Sequence, residues 1–537
     1  MSSSRSVRSQ SLVCVVVMVA CITFAYVTNI DKFHVSIVKA LIHVLFQSIL
    51  LFGLVVTLNV FKPLKWLVVL FLGIVFFTHL AYQAPLSIST IFSVFNAPTE
   101  ESASFVAEHG WEILSTVFWV IVLALLSSSI PASKWWRRSL YAGSIYLLLP
   151  FLVQIPKVYS GNEFADYINK GTARGYSYSY TAAEYTIHKL SLRFPTFQSV
   201  IAIKDSVSLM TLQTDNAATW TNVEVSTEAP KVLVIGIGES LRAGNMSLYG
   251  YERKTTPKLD AIKSQLTVVN QPYAAGSNTW GAIPAMLTKT GNMPNFSQSV
   301  ILLAKAAGYQ TFWLSNQAQF GQWDFSISTL AQQADTQYFA SKEEGGALYD
   351  DVLIEQLSAA LEQRSQRKLI ILHFYGSHMN FSDRYPADFD SFSSGDKRLD
   401  QYDNSVLYTD FLQAEIIEMV KKAGGEYVFF SDHGLGSPHG DLPLKHDVRT
   451  PPDIESLYVP FFFTGNRNIP DINHQPFSLF YFECFFSSWS GITTEELSEE
   501  YCGKSVNNDF IVYLDSNMAV RKQGKPELVD NHVAQSK

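Results

Sequence analysis

The chain is poor in cysteine and has no excess of basic residues. Its 537 residues include four cysteines, and its formal net charge at pH 7 is -8. It also lacks a stripe of basic and aromatic residues, so we expect no nucleic acid partner. Cys14 and Cys21 lie in an apolar stretch, where we expect them only to pack. Cys484 and Cys502 lie far downstream and can pair in an oxidising compartment, but the sequence gives no distance between them.

Long apolar runs, in contrast, are abundant in the first part of the chain. Five stretches have about 20 residues each, which is the length that a helix needs to cross the hydrocarbon of a bilayer. They cover residues 11–27, 35–61, 64–82, 111–130 and 140–158. The first stretch lacks a clear small-residue cleavage site and four more follow it, which favours a retained helix over a signal peptide. We therefore predict an α-helical membrane domain of five transmembrane helices at residues 1–159.

Charges in the loops between these stretches predict the orientation. Basic residues occupy alternate loops, whereas the intervening loops are richer in acidic residues. Loops with an excess of Lys and Arg stay on the cytoplasmic side, so the N-terminus is expected to be cytoplasmic and everything after the fifth span to be exported. The basic positions are Arg5, Arg8, Lys62, Lys65, Lys134, Arg137 and Arg138.

The remainder of the chain has three parts. Residues 160–229 are polar and rich in Tyr and Ser, and we interpret them as a bridging region. Residues 230–516 alternate between strand and helix patterns, which predicts a doubly wound α/β sheet with helices on both faces. Residues 517–537 form a polar tail that we expect to be disordered. The predicted strands are 231–237, 266–270, 310–315, 369–373, 426–430 and 459–463, and the predicted helices include 284–287, 297–307, 348–362 and 405–423.

Several candidate site residues follow apolar strands. Glu239 comes directly after one predicted strand, and Asp432 and His433 come after another. Open α/β sheets build their sites at such strand ends. One Glu, one Asp and one His suit Zn²⁺, and a hydroxyl as fourth ligand would lose its proton readily. Thr279, in a turn-like stretch, can supply that hydroxyl, although a helix N-cap is a common role for Thr before a helix.

These residues belong to a series of motifs that resembles the bacterial phosphoethanolamine transferases. The resemblance covers nearly the whole chain and begins with Gly238-Glu239-Ser240-Leu241-Arg242-Ala243. It implies an inner-membrane enzyme with five spans and a periplasmic catalytic domain of the alkaline phosphatase and sulfatase superfamily. Further motifs follow in the same order: Leu248-Tyr249-Gly250-Tyr251, Trp313-Leu314-Ser315-Asn316-Gln317, Gly376-Ser377-His378, Tyr402-Asp403-Asn404, Ser431-Asp432-His433-Gly434 and Val459-Pro460.

The resemblance also implies roles for individual residues. Glu239, Thr279, Asp432 and His433 would bind the catalytic zinc, and Thr279 would be the nucleophile. Thr288 and Thr290 lie nearby but do not match the family pattern. His378 and His446 resemble the substrate-side histidines, which contact phosphate or carry protons, and His439 is a rival for the second position because Gly440 follows it.

The implied reaction is a ping-pong transfer. Phosphatidylethanolamine would be the donor, and the acceptor would be an envelope glycan or a lipopolysaccharide, through a core sugar or lipid A. Members that act on lipid A often have cysteines around the nucleophile loop, where this chain has Ala275 and Ala285. This departure favours core sugars or periplasmic glucans as acceptors. A further departure is Leu435, at a position that is often acidic.

Three alternatives remain at this stage. A phosphoglycerol transferase acting on envelope glycans would share the fold, the topology, the threonine and the metal. A sulfatase would need a Cys/Ser-x-Pro-x-Arg motif, and none lies near Thr279. A membrane-anchored binding protein without activity need not keep Glu239, Thr279, Asp432 and His433 together, so the intact set favours an enzyme.

Overall fold

The structure is a computed structural model. It describes most of residues 37–91 and 105–130, a few residues beside them, and residues 195–210 and 218–524 with gaps at 292–293, 318–324, 341–348, 441–442, within 466–475 and at 507–509. Contacts between residues divide the chain into two compact units, Met1–Thr211 and Leu212–Lys537. Each unit is described by itself below.

The first unit is helical. Its described helices are α1 (Ile37–Thr57), α2 (Lys62–Tyr82), α3 (Gly110–Ser128) and α4 (Pro195–Met210). Helices α2 and α3 are long and apolar enough to cross a membrane, and the apolar helical stretch Gln47–Val60 is shorter. The predicted spans 11–27 and 140–158 lie almost wholly outside the described residues, as does most of the predicted bridging region. The count of five spans therefore stays a prediction.

Apolar side chains lie on the outside of α2 and α3. Trp111, Leu114 and Phe118 on α3 are each more than half exposed, and Leu67 and Leu70 on α2 are similar. Such a surface is costly in water and suits a lipid environment. Lys65, near the start of α2, is buried instead, and its Nζ donates to Asn59 Oδ1 and to Ser128 Oγ, each at 2.7 Å.

The second unit is an α/β domain built on a seven-stranded sheet. Its strands are β2 (Val232–Gly238), β3 (Thr267–Val268), β5 (Gln310–Ser315), β6 (Thr336–Phe339), β7 (Lys368–His373), β8 (Glu426–Ser431) and β9 (Phe461–Phe463). Their order in the sheet is β3-β9-β8-β2-β7-β5-β6. The five strands from β8 to β6 are parallel, and β9 is antiparallel to both β8 and β3. The predicted α/β domain is thereby confirmed. Two short strands, β1 (Glu224–Val225) and β4 (Pro272–Tyr273), lie outside this sheet.

Close packing between β2 and β8 explains the glycines of the central strand. A Cβ on Gly236 would stand 2.0 Å from the hydroxyl of Tyr427, and one on Gly238 would stand 2.8 Å from the ring of Phe429. Both aromatic residues are fully buried. Large side chains on β8 therefore cover the bare backbone of β2, and this packing helps to fix the position of the residue that follows β2.

Helices flank this sheet. The longest, α10 (Lys397–Lys422), begins at an N-cap, where the Asp396 side chain accepts a hydrogen bond from Leu399 N. It starts eight residues before the predicted position 405. The others are α5 (Pro257–Ala261), α6 (Thr279–Leu287), α7 (Val300–Ala306), α8 (Phe325–Gln333), α9 (Val352–Glu362), α11 (Phe482–Ser490) and α12 (Glu499–Val506).

Three small sheets complete the second unit. Strand β1 pairs with β11 (Ile492–Thr493), and β4 pairs with β10 (Phe477–Ser478). Strand β12 (Phe510–Leu514) forms an antiparallel hairpin with β13 (Val520–Gly524). Cys484 on α11 and Cys502 on α12 form a disulfide, with Cα atoms 5.5 Å apart.

The hairpin corrects one expectation. A disordered tail is predicted from residue 517, but β13 is ordered, because its backbone pairs with β12 over five residues. Leu514 also contacts the loop that precedes Thr279, since its N–H donates to Ala275 O at 2.7 Å. The polar composition of 520–524 marks a strand that is only half buried, and it does not mark disorder. Residues 525–537 lie outside the described part of the chain.

Candidate active site and metal centre

The candidate site lies at the carboxyl ends of β2 and β8, which are neighbouring parallel strands. Glu239 follows β2, and Asp432 and His433 follow β8. The backbone continues the pairing beyond the strands, since Asp432 N donates to Gly238 O at 2.9 Å. All three side chains are buried. The sheet therefore brings together residues that are almost two hundred positions apart in the sequence.

Thr279 is the first residue of α6, and it is not the N-cap of this helix. That role belongs to Asn278, whose side chain accepts a hydrogen bond from Gly281 N at 3.0 Å. The Thr279 hydroxyl donates to Glu239 Oε2 at 3.2 Å and lies 3.2 Å from His433 Nε2. The hydroxyl is therefore directed at the acidic cluster, at the positive end of the α6 dipole.

Hydrogen bonds to the backbone orient the side chains of Asp432 and His433. They use Asp432 Oδ1 and His433 Nδ1, so that Asp432 Oδ2 and His433 Nε2 are left to face the cluster. Asp432 Oδ1 accepts the backbone N–H groups of Ser240 at 3.1 Å and of His433 at 2.6 Å. His433 Nδ1 donates to Gly434 O at 2.7 Å, so its Nε2 carries the lone pair in the neutral ring. Asp432 Oδ2 is buried, has no hydrogen-bond partner in the described chain, and lies 3.4 Å from His433 Nε2.

The charges of this cluster fit a cation. Burial raises the pKa of Asp432, and the charge of Glu239 raises it further. Burial acts to lower the pKa of His433, but Asp432 and Glu239 outweigh it and raise this pKa to about 9. Burial also acts to raise the pKa of Glu239, yet the hydrogen bond and charge of His433 hold it well below its usual value. The buried carboxylates of Glu239 and Asp432 thus share the single positive charge of His433. A divalent ion would supply the second positive charge that neutralises both carboxylates.

The donor set therefore fits zinc. Glu239, Thr279, Asp432 and His433 offer carboxylate, hydroxyl and imidazole atoms, which are ligands that zinc accepts. His446 belongs to the same cluster, because ligand atoms of Glu239, His433 and His446 all lie within 4.8 Å of one another. The unpartnered Asp432 Oδ2 is the observation that most favours a cation here.

The two predicted substrate-side histidines lie together beside this cluster. The ring of His446 lies 5.0 Å from that of His433 and 5.9 Å from that of His378. His378 in turn stacks on Tyr375, with centroids 5.2 Å apart and planes at 13°. Burial, with the nearby charge of His433, lowers the pKa of His446 to about 3. His439 is exposed to solvent, so the geometry favours His446 over its rival.

Sequence analysis missed several residues that hold the site in place. Gln317 lies in one of the motifs that carry the family resemblance, but sequence analysis assigned it no role. Its Nε2 donates to Glu239 Oε2 at 3.4 Å. Asp350 is buried and accepts hydrogen bonds from the backbone N–H groups of Tyr375 and Gly376, each at 2.8 Å. Ser240 Oγ donates to Glu239 Oε1 at 2.7 Å. Nothing in the local sequence marks Asp350, because its partners come from a distant strand.

The loop that carries His446 is tied to the loop that carries Thr279. Ser277 Oγ donates to the backbone oxygen of Asp447 at 2.6 Å. Asp447 is fully buried and pairs with Arg449 at 2.5 Å. This link fixes the loop of Thr279 and the loop of His446 relative to each other.

The chain is similar to several known proteins. The sulfatase family model matches residues 230–492. The YhbX protein of Escherichia coli K12 is 30% identical over 368 residues, which cover 63% of this chain and 66% of YhbX. The phosphoethanolamine transferase EptC of the same organism is 32% identical over 228 residues, covering 38% and 40%. OpgE, also a phosphoethanolamine transferase of E. coli, is 28% identical over 294 residues, covering 53% and 54%. The matched segments thus span less than two thirds of each of these relatives.

Solved structures show the same fold. The periplasmic domain of E. coli EptC, crystallised in complex with Zn, superposes with a TM-score of 0.51 at 26% identity over 57% of this chain and 96% of that domain. The integral membrane protein EptA from Neisseria meningitidis has a TM-score of 0.65 at 16% identity and covers 92% of this chain and 97% of its own, so that likeness is one of fold alone. Residues 230–492 thus match the sulfatase family, and the chain is similar to bacterial phosphoethanolamine transferases.

Proposed function

We propose that this protein is a zinc-dependent transferase that moves phosphoethanolamine from phosphatidylethanolamine to an envelope glycan or lipopolysaccharide through a covalent intermediate on Thr279. The observation that carries the proposal is the position of the Thr279 hydroxyl. It lies 3.2 Å from a buried carboxylate oxygen and 3.2 Å from a buried imidazole nitrogen, at the first residue of a helix. A threonine with only a structural role has no need of such neighbours.

The residues of the chain can carry out each step. Thr279 Oγ attacks the phosphorus, the bond from phosphorus to the diacylglycerol oxygen breaks, and diacylglycerol leaves with a proton. Glu239, Thr279, Asp432 and His433 would hold zinc, which when bound lowers the pKa of the threonine hydroxyl and neutralises charge on the phosphoryl oxygens. An acceptor hydroxyl then attacks the same phosphorus from solution, and Thr279 regains its proton.

In this scheme His378 and His446 contact the phosphoryl group and transfer protons. Their rings lie beside the metal cluster, on the same side as Tyr375. From there they can donate hydrogen bonds to phosphoryl oxygens, or carry a proton between leaving group and acceptor. Because imidazole both donates and accepts, one pair of histidines can serve both half-reactions.

We propose the outer face of the bacterial inner membrane as the site of this reaction. Five spans would place the catalytic domain, residues 230–516 with the hairpin that follows, in the periplasm. The exposed apolar faces of α2 and α3 support a membrane location. A reporter active only outside the cytoplasm should be active when fused after Gly524 and inactive when fused at Lys65, and the opposite pattern would contradict the orientation.

The acceptor is proposed on the basis of the nucleophile loop. Ala275 and Ala285 are buried next to Thr279 and leave no cysteine for a cross-link there. The loop is held instead by Leu514 N, which donates to Ala275 O at 2.7 Å. This difference from lipid A modifiers supports a core sugar or a periplasmic glucan as the acceptor. Lipid A remains an outcome that mass spectrometry of the envelope would reveal.

A covalent adduct is the test of the central proposal. Full-length protein incubated with phosphatidylethanolamine and then digested should yield a peptide in which Thr279 carries phosphoethanolamine. Thr279→Ala should abolish both adduct and transfer while zinc is retained, because three protein ligands remain. Thr290→Ala is the matched control, since Thr290 is also buried but its hydroxyl donates to backbone oxygens of α6 and the residues after it. An adduct on Thr288 or Thr290 would refute the assignment.

A further inference from the structure

Ser240 joins the two candidate carboxylate ligands through hydrogen bonds. Its N–H donates to Asp432 Oδ1 at 3.1 Å, and its hydroxyl donates to Glu239 Oε1 at 2.7 Å. The residue is fully buried. The position of Ser240 therefore influences both carboxylates, and a displacement of its backbone would move them relative to each other.

The backbone of Ser240 has a conformation that needs support. Its φ is +58°, in the left-handed region that residues other than glycine rarely adopt. Such a conformation costs free energy, and it persists only where the surrounding structure holds it. Contacts with neighbouring residues must therefore keep Ser240 in this conformation.

Tyr402 supplies such a contact from α10. Its hydroxyl donates to Ser240 O at 2.8 Å and accepts a hydrogen bond from Arg242 N at 2.9 Å. These two backbone groups flank Leu241, and both belong to buried residues. A hydroxyl can donate and accept at the same time, whereas a phenyl ring can satisfy neither group. One oxygen atom of Tyr402 thus closes both ends of this short backbone segment.

Tyr402 is itself held in place. It is fully buried. Its ring packs against that of Phe381, with centroids 5.0 Å apart, and its backbone oxygen accepts the hydroxyl of Ser405 at 2.6 Å. Tyr402 belongs to one of the motifs that carry the family resemblance, yet the proposed reaction assigns it no role. Its hydroxyl is a fixed point between α10 and the residue that follows Glu239.

We propose that Tyr402 is a positioning residue for the metal centre, because its hydroxyl holds Ser240 in the conformation that directs Glu239 and Asp432 at one cation. This inference rests on the proposed function, since it requires a metal at these carboxylates. Tyr402 acts through Ser240 and touches neither the metal nor the lipid. Loss of the hydroxyl should therefore change the geometry of the ligands without removing one of them.

The experiment measures metal binding by Tyr402→Phe, a variant that loses one oxygen atom and keeps the ring. Full-length protein is stripped of metal and titrated with Zn²⁺, and in a separate series with Co²⁺, whose visible absorption reports the ligand geometry. The thermal midpoint of the metal-free protein and the kcat and KM for phosphatidylethanolamine are measured on the same preparations.

Tyr309→Phe is the matched control. Tyr309 is also buried, and its hydroxyl also bridges two groups: it donates to Pro230 O at 2.6 Å and accepts from Arg367 Nη1 at 3.1 Å. It directly precedes β5 and therefore lies at the amino end of the parallel strands, whereas the candidate site lies at their carboxyl ends. This variant reports what the loss of a buried bridging hydroxyl does to stability alone.

The expected result is a weakened and altered metal site. Tyr402→Phe should bind Zn²⁺ roughly tenfold more weakly than the wild type, as is common when the partners of metal ligands are lost. Its Co²⁺ absorption should differ from that of the wild type, and kcat should fall while KM changes little. Tyr309→Phe should also have a lower thermal midpoint, but its Zn²⁺ affinity, Co²⁺ absorption and kcat should equal those of the wild type.

Other results would overturn the inference. Unchanged Zn²⁺ affinity and Co²⁺ absorption in Tyr402→Phe, or an equal change in Tyr309→Phe, would show that the hydroxyl contributes only to stability. A Tyr402→Phe protein that does not fold in the absence of metal would show that the hydroxyl serves the fold as a whole, which also contradicts the proposal. If the wild type binds neither metal, the proposed metal centre fails, and the inference fails with it. If the wild type binds both metals, the comparison of the two variants decides the inference alone.

Discussion

Replacement of Gly376 by Ala should damage the site through the backbone of Glu239. Gly376 has φ +52°, and a Cβ at this position would stand 2.7 Å from Glu239 O and 2.9 Å from Glu239 N. Both distances are below the 3.0 Å that real Cβ atoms essentially never pass. The neighbouring Ser377 N donates to Glu239 O at 3.0 Å, so the two backbone segments cannot separate without loss of this bond.

The magnitude follows from two contributions. The left-handed backbone conformation costs an alanine about 1–2 kcal/mol relative to glycine. Overpacking against fixed backbone adds about 1–3 kcal/mol. Gly424 is the matched control, because it has φ +67° and open space where the Cβ would be. Gly424→Ala should therefore lose stability only through the left-handed backbone conformation, whereas Gly376→Ala should also lose stability through overpacking.

The assay measures three quantities on the purified full-length protein. They are the thermal midpoint, the zinc content after dialysis, and the rate of phosphoethanolamine transfer. Gly376→Ala should lower all three, with a loss of rate on the order of a hundredfold, because small displacements in an active site have such effects. Gly424→Ala should lower only the midpoint. If Gly376→Ala keeps wild-type zinc content and rate, the close approach of Gly376 to the Glu239 backbone does not position the Glu239 side chain for a metal, and the prediction is wrong.

Two further predictions concern the region around the disulfide. Replacing Cys484 and Cys502 together with Ser should lower the free energy of unfolding by about 2–4 kcal/mol, measured by denaturant unfolding with and without reductant, while the transfer rate at low temperature stays unchanged. Burial raises the pKa of Glu483 to about 8, so the folded state binds this proton more tightly than the unfolded state does. The stabilisation is complete below the ordinary carboxyl pKa and is lost as the pH rises towards 8. Unfolding midpoints measured from pH 5 to pH 9 should fall with pH in the wild type, and less steeply in Glu483→Gln.

The central strands could be predicted from sequence because of how they are buried. Parallel strands that are covered on both faces form continuous apolar runs, and Gln310–Ser315 has the bounds that its run predicts. Strand β6 was missed, since Thr336–Phe339 lies at the edge of the sheet and is exposed or half buried. The start of α10 was missed for a different reason. Its first two turns bury Asp400, Asp403 and Asn404, so they lack the apolar periodicity that marks a helix.

The candidate site was partly accessible to sequence reasoning. Glu239, Asp432 and His433 could be selected because each follows an apolar strand, and the structure brings them together. Asp350 and Gln317 could not be assigned in this way. Their contacts depend on β5 and β7 lying in the order β2-β7-β5, and local patterns do not tell which strands are neighbours. The sequence also left open whether Thr279 is only the N-cap of a helix. The structure excludes this role because Asn278 is the N-cap and accepts a hydrogen bond from Gly281 N.

The hairpin of β12 and β13 has a consequence for the order of synthesis. Ribosomes make the loop that carries Thr279 long before they make Leu514, whose N–H donates to Ala275 O in that loop. The side chains of Leu514 and Met518 also lie beside Gly281, in the first turn of the helix that begins at Thr279. A nascent chain therefore carries Glu239, Thr279, Asp432 and His433 well before this support for the loop and helix of Thr279 exists. A chain that ended between His433 and Leu514 would hold all four of these residues but lack the support of the helix that begins at Thr279, so the site is complete only when nearly the last residue that the structure describes has been made.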